Sequence, residues 1–464
     1  MTAVVERSTG AAEPDAGRDA PVAPAAPAPL SRSYRFELLK LLSQWRVRLL
    51  LIACWLAPAG FVGVVSRQSA LPSDTVFGRL MGSTGWAGAL VVLAFACSWA
   101  LPLLTALVAG DVFAVEDRLG TWRHLLVAVR SKRRIFVGKA LASASVILLL
   151  VVGLAVSGLV GGLVSVGDRP LAGLDGYAFS GSQLASRYVL AWLCVLAPTA
   201  AFAAVGLLGS VVLGRSPMGL VTPAVLAVVV ALLQLLPLPL AVRLALPSQA
   251  FVAWRGLFTE QVQTGPLVVG VLVALAWAVL ATAVAYRLFL RRDFTDLAND
   301  GSGVRLVVAG LLPLAALTAV CALVVALVLP VSGTGVDKSA LERSLATTYG
   351  HLYRLQTAEL NRPPVTEAQL QTSAACDKGG TLVADEGPGT DWRCVVSWHL
   401  PGATAVGSAV YQLDVTADGR YVADGDGPQE VNGFFQVQAP YGVAPNPLWQ
   451  FDATVDLLPP PRKD

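Results

Sequence analysis

The side chains capable of chemistry are few in this chain, and their spacing argues against most reactions. Its three histidines, His124, His351 and His399, have no cysteine or carboxylate at metal-ligand spacing, so no metal site is expected. Asp385 with Glu386, and Asp424 with Asp426, are the nearest approach to paired carboxylates. Both pairs sit among Gly and Pro, in stretches that read as solvated turns. The segment Gly333-Thr334-Gly335-Val336-Asp337-Lys338-Ser339 comes closest to a phosphate-binding loop, but Asp337 stands where a glycine is required. No serine or cysteine nucleophile motif occurs, and no catalytic residue is assigned. Two chemistries remain. Cys376 and Cys394 are the one cysteine pair outside apolar segments and are expected to form a disulfide; Cys54, Cys97, Cys194 and Cys321 read as small buried hydrophobes. The other is ion pairing by the charged stretch Gly110 to Lys139, GDVFAVEDRLGTWRHLLVAVRSKRRIFVGK.

That stretch has an apolar stripe at helical spacing, Val115, Leu119, Trp122, Leu126 and Val129. Glu116, Asp117, Arg118, Arg123 and His124 form its other side. Such an element lies against an apolar bundle and turns its charges to a partner.

The elements that must position it are membrane spans. Of 464 residues, 55% are hydrophobic and 14% charged, against about 25% charged in an ordinary soluble domain. Crossing a bilayer takes about 20 apolar residues, and seven stretches qualify. They run from Leu49 to Ser66, Trp86 to Ala109, Ala140 to Val166, Tyr188 to Leu213, Leu220 to Val242, Pro266 to Tyr286 and Leu306 to Val331. No charged residue lies well within them, which disfavours a proton relay. Prolines within them, including Pro58, Pro102, Pro198, Pro237, Pro239 and Pro313, are either hinges or plain kinks.

Orientation follows from Lys and Arg in the connections. One set of connections holds Arg32, Arg35, Lys40, Arg46 and Arg48, the basic residues from Arg118 to Lys139, Arg215, Arg291, Arg292 and Arg305; the other holds only Arg67, Arg79, Arg169, Arg187, Arg243 and Arg255. The expectation is a multi-pass protein of a bacterial cell membrane, with the N-terminus cytoplasmic and everything beyond Val331 extracytoplasmic. The positive balance then reflects topology, and no nucleic-acid partner is implied.

Residues 1–30, rich in Ala and Pro, read as a disordered cytoplasmic tail. Residues 31–47 read as an interfacial helix, with Tyr34, Leu38, Leu41, Leu42 and Trp45 on one face and Glu37 and Lys40 among its polar residues. It is either an elbow contacting a larger apparatus or a juxtamembrane anchor. The connection from Arg243 to Gly265 is apolar enough to dip into the bilayer as short helices, or to rest its aromatics at the interface. Residues 332–464 read as a small α+β domain. A helix is expected over Asp337 to Leu360 and strands over Thr381 to Ala384, Trp392 to Trp398, Ala409 to Val415, Arg420 to Ala423 and Gly433 to Gln438. Thr416-Ala417-Asp418-Gly419 should turn a hairpin.

Residues 31–295 resemble the membrane permease subunits of type-2 ABC exporters. Glu116, Gly120, Thr121, Leu125 and Leu126 match that family's E-x-x-x-G-T-x-x-x-LL loop, and Arg134 and Lys139 are similar to the basic residues that follow it. Glu37 and Lys40 before the first span, and Arg291-Arg292-Asp293-Phe294 after the sixth, also match. The family's proline after the paired leucines is missing between Val127 and Arg130. The resemblance implies a six-span permease domain over 48–295 whose loop 110–139 is a coupling helix. Glu116, Arg118, Gly120, Thr121, Arg123 and His124 would meet a separate ATP-binding subunit, which would hold ATP and Mg²⁺, with no cofactor on this chain. A second permease subunit would complete the pathway. The seventh span, 306–331, and the external domain lie outside the resemblance. Neutral spans suit an amphiphilic or hydrophobic cargo, drug or lipid-like. The competing class is a membrane sensor or scaffold, with a ligand-binding external domain and a signalling loop.

Overall fold

The computed structural model describes residues 28–68, 71–213, 218–292, 294, 303–329, 333–380, 383–440 and 442–458. The tail 1–27, Arg215 and Asp293 lie outside them.

Among the described residues, six helical segments are long and apolar enough to cross a membrane. The first half begins with α1 (Leu30–Ser43) and, after an extended Gln44, α2 (Trp45–Val65). Then come α3 (Gly85–Phe95), continuing through a π-helical turn, Ala96–Ala100, into α4 (Leu101–Ala109). Pro102, in the first turn of α4, lacks the N–H that would continue a regular ladder, and the wider turn sits just ahead of it. Two short helices, α5 (Ala114–Leu119) and α6 (Trp122–Val129), lead into α7 (Lys132–Ser165).

A two-stranded ribbon, β1 (Leu171–Ala172) with β2 (Ala178–Phe179), joins α7 to α8 (Gly181–Leu213). Next is α9 (Met218–Leu235), followed by short helices α10 (Leu240–Leu244) and α11 (Ala250–Ala253) and a 3₁₀ turn at Trp254–Phe258. The long helices α12 (Thr264–Arg291) and α13 (Gly303–Val328) follow.

Close packing rests on small residues. A Cβ on Gly162 of α7 would sit 2.1 Å from the Gly85 carbonyl oxygen at the start of α3, and one on Gly161 would sit 2.5 Å from Ala59 Cα in α2. Without these glycines the three backbones could not approach as they do. Burial falls outward: 67% of the apolar window in the α3–α4 segment is covered, but only 11% in α13. Helix α13, the last of these six segments, is therefore an appendage on α8, α10 and α12.

The fifth expected span differs from its sequence reading. Helix α9 stops at Leu235, short of Val242, because Pro237 and Pro239 remove donors and disfavour helix in the residues before them. Its 18 residues run about 27 Å at 1.5 Å each, slightly less than a hydrocarbon core of about 30 Å. Even so, the chain passes from one end of the bundle to the other here. Ser210, near the end of α8, accepts from the backbone N–H groups of Phe113 and Ala114, while Leu240 N–H donates to Gly333 O at 3.0 Å. We call these the loop end and the domain end. Lys40, Arg46, Arg118, Lys139 and Arg292 gather at the first, and Arg187, Arg243 and Arg255 at the second, as the charge segregation anticipates.

The connection Arg243 to Gly265 is short helices, with Phe251, Trp254, Leu257 and Phe258 buried. Its aromatics close the domain end of the bundle core.

Beyond α13, Asp337 caps α14 (Lys338–Glu359) by accepting from Ala340 N–H at 2.7 Å; this is the role of the residue that spoils the phosphate-loop pattern. After α15 (Glu367–Leu370) come β3 (Ser373–Lys378), β4 (Gly389–His399), β5 (Val406–Val415) and β6 (Arg420–Gly425). Then follow α16 (Gln429–Asn432), β7 (Gln436–Ala439), β8 (Gly442–Pro445) and β9 (Gln450–Thr454). Strands β3-β4-β5-β6-β9 form an antiparallel sheet and β7-β8 a separate ribbon. Leu341, Leu345, Tyr349 and Leu352 of α14 join one core with Trp392, Tyr411, Leu413 and Tyr421 of the sheet.

Three expected strands held, β4, β5 and β6, with the hairpin turn between the last two. Val383 and Ala384 are not in a strand; residues 381–382 lie outside the described residues. The pairing that supports β3, opposite β4, begins earlier, at Ser373. Of Gly433 to Gln438, only the part from Gln436 is strand. Cys376 faces Cys394 across β3 and β4, and the two are disulfide-bonded.

Candidate functional site

The charged stretch folds as two short helices. Gly120 ends α5 with φ +64°, a left-handed turn that costs a glycine little and a β-carbon residue more. The chain then folds back so that Thr121 N–H donates to Glu116 O at 3.1 Å, and the Thr121 hydroxyl bonds Glu116 Oε2. The E-x-x-x-G-T spacing thus has a local cause: the glycine reverses the chain and the threonine returns to the glutamate.

Glu116 does not face outward as the sequence reading placed it. It is fully buried. Its Oε1 accepts from Lys139 Nζ at 2.7 Å and from Lys40 Nζ, and Lys139 also bonds Glu37 Oε2 at 2.9 Å. Glu37 and Lys139 are themselves 2% and 1% exposed. An ionised group leaves water only when paired, and here two glutamates and two lysines neutralise one another. Burial alone would raise the Glu116 carboxyl. The adjacent Lys139 charge and hydrogen bonds from Lys139, Lys40 and Thr121 outweigh it and hold the group down at about 2.

The same inversion reshapes α1. Its packed face is Ser33, Glu37 and Leu41, turned to α7, whereas Phe36, Leu39 and, just beyond the helix, Trp45 are exposed. Tyr34, Leu38 and Leu42 are half-buried against the bundle core, and Arg32 and Arg35 are exposed beside Phe36 and Leu39, so both faces of the helix mix polar and apolar side chains.

Two further acids extend the frame. Asp117 accepts from Trp122 Nε1 at 2.6 Å and from Arg292 at 2.9 Å through both guanidinium nitrogens, a bidentate pair tying α5 to the end of α12. Asp111 Oδ2 accepts from Arg46 at 2.7 Å, with Arg118 at 3.8 Å. Beneath lies an aromatic cluster of Phe113, Trp122, Phe136, Phe289 and Phe294, their neighbouring ring centroids about 5–6 Å apart.

Of the stripe, Val115, Trp122 and Val129 are buried; Leu125 is more buried than Leu126, and Leu119 is 60% exposed. The break at Gly120 rotates α6 relative to α5, so one continuous helical stripe does not form. What remains on the outer surface of α5, the turn and α6 is Arg118, Leu119, Gly120, Arg123, His124, Val127 and Ala128. Lys40 is half-buried and Thr121 partly so.

Sequence reasoning missed Asp111, Arg46 and Asp117 as framework, and it put Glu116 on the wrong side. The signal was available: Glu37 and Lys139 both border apolar runs, where an ionised side chain needs an opposite charge. Among the described residues no group of three His, Cys, Asp or Glu is placed to hold a metal. Compared with known proteins, the chain matches no family model and no curated protein.

Proposed function

We propose that this chain is the membrane permease subunit of a type-2 ABC exporter, moving an amphiphilic or hydrophobic substrate out of a bacterial cell. In this reading ATP and Mg²⁺ bind a separate subunit, a second permease copy or relative completes the pathway, and the loop end faces the cytoplasm. The observation that carries it is the two-sidedness of α5 and α6. Their inner side is tied to α1, α7 and α12 by Glu116 and Asp117, while Arg118, Leu119, Arg123, His124 and Val127 face out. An outward surface of mixed charge and apolar side chains on a braced element suits a docked protein partner. A push there would reach three bundle helices at once.

The test is Arg123→Glu combined with His124→Glu, which spares the buried frame. The expected result is loss of copurification with the separate ATP-binding subunit that this reading requires, and loss of substrate-stimulated ATPase, at unchanged thermal stability. If both survive the double reversal, the coupling role is lost. Charge reversal at Glu116 is the wrong experiment, because it would break the frame itself.

A further inference from the structure

Besides the apolar packing of Leu240 and Leu244 against its core, the C-terminal domain meets the domain end of the bundle through two polar contacts of different chemistry. In one, Asp418 at the β5–β6 turn pairs with Arg255, and Arg420 donates to Asp74 O at 2.9 Å. Carboxylate and guanidinium keep their charges across the physiological range. The other centres on His351 of α14, which is 3% exposed.

His351 Nδ1 lies 2.7 Å from the carbonyl oxygen of Asp175, in the ribbon between α7 and α8. A carbonyl can only accept, so Nδ1 carries a proton. Nε2 then has no hydrogen-bond partner and faces two carboxylates, Glu367 Oε1 at 3.3 Å and Glu260 Oε2 at 3.5 Å. Unprotonated, it turns a lone pair toward two negative oxygens. Protonated, it attracts both, one from the domain and one from the bundle.

We propose that His351 is a proton-operated clasp: one proton taken up at Nε2 locks the C-terminal domain onto the bundle, and its loss loosens the join. The surrounding charges support this. On the bundle side, Asp175 accepts from Tyr177 N–H and Glu260 N–H, Glu260 faces the ring, and Arg187 of α8 is spent on the carbonyls of Leu257 and Thr259. On the domain side, Arg354 of α14 pairs with Glu367 of α15. Tyr177 lies edge-on to the imidazole with centroids 6.0 Å apart. Three carboxylates thus meet two guanidinium groups, and an imidazolium completes the balance. Because the charged ring meets Glu260 only in the docked state, protonation favours docking. By linkage, proton uptake at Nε2 and docking favour each other, so docking weakens as that proton is lost. The clasp does not depend on the export reading.

The test is hydrogen exchange on the full-length protein in lipid nanodiscs at about pH 5.5 and about pH 8, corrected for the chemical exchange rate at each pH. Amides of Leu171–Phe179 and α14 should be about fivefold better protected in acid, the effect of one partly exposed ion pair, while β5 and β6 serve as unchanged references. His351→Gln should flatten that difference, and Glu260→Gln with Glu367→Gln should flatten it without touching the ring. A wild type without pH dependence, or a His351→Gln variant that retains it, overturns the clasp. So does protection at the higher pH that needs added zinc and vanishes with a chelator, since Nε2 would then hold a metal and no proton.

Discussion

Replacing Lys139 by methionine puts the inverted charge network to its sharpest test. The methionine fills much of the same volume but removes the one cation that touches both Glu37 and Glu116. Glu116 keeps Lys40 and Thr121, whereas Glu37 loses its only ion-pair partner in the cluster while 2% exposed. The network passes from neutral to one net negative charge. Breaking a buried pair from one side costs about 3–5 kcal/mol, mostly the penalty of the charge left behind, which is about a hundred- to a few-thousandfold in the folded ratio. The assay is heat resistance of the detergent-solubilised protein, read as the fraction still monodisperse on a sizing column, with trypsin sensitivity of the loop 110–131 alongside. Adding Glu37→Gln to Lys139→Met restores neutrality and should recover much of the loss, although Glu37→Gln alone removes a pair. That sign change in a double-mutant cycle identifies a charge imbalance and separates it from poor packing. If Lys139→Met is as stable as wild type, or if the second substitution deepens the loss, the buried network does not hold the loop.

Other expectations follow from single contacts. Glu116 is held down from 4.5 to about 2, so its contribution is complete above the higher value and is lost as pH falls toward and through the lower. Acid titration of thermal stability should be shallower in Glu116→Gln than in wild type. Gly162→Val, whose Cβ would sit 2.1 Å from a backbone oxygen of α3, should cost about 1–3 kcal/mol or more, seen as lost monodispersity on a sizing column. Replacing Cys376 and Cys394 by serine opens a bond across 18 residues and should destabilise the C-terminal domain by about 2–4 kcal/mol. Protease resistance of that domain reports the loss, and non-reducing mass spectrometry of wild type should find no free thiol at either position. Asp117→Asn should loosen the grip of Arg292 and raise exchange at the end of α12, because a bidentate charged pair becomes a single weaker bond.

Apolar length and period made the long helices and α14 legible in the sequence, because both are local properties of the chain. The two cysteines were legible as a pair since no other partner lay outside the apolar stretches. Strands β3 and β9 were not, because their pairing partners, β4 and β6, are supplied from a distance and their own residues alternate weakly. The end of α9 was legible in Pro237 and Pro239, but apolar length through Val242 masked it. The side on which Glu116 falls was not readable from its own helix at all. Its neighbours Arg118 and Arg123 are solvent-facing, and the two lysines that reverse its environment stand 76 residues before it and 23 after.

That reversal alters what the loop can transmit. A helix held to the bundle by apolar contacts alone can rock, since such contacts have no preferred direction. Here Glu116 reaches α1 and α7, Asp117 reaches α12, and Asp111 reaches the start of α2. Each bond fixes a direction as well as a distance. On the export reading, a force on Arg123 or His124 would therefore reach four helices through ionic joints gathered at the loop end of the bundle. This predicts that conservative shortening of a joint uncouples without releasing the partner. In Lys40→Ala, Glu116 keeps Lys139, so the fold should survive; on the export reading proposed above, the ATP-binding subunit should still copurify, while substrate-stimulated ATPase falls. Equal loss of binding and stimulation in Lys40→Ala would mean the joint merely shapes the docking surface and carries no force.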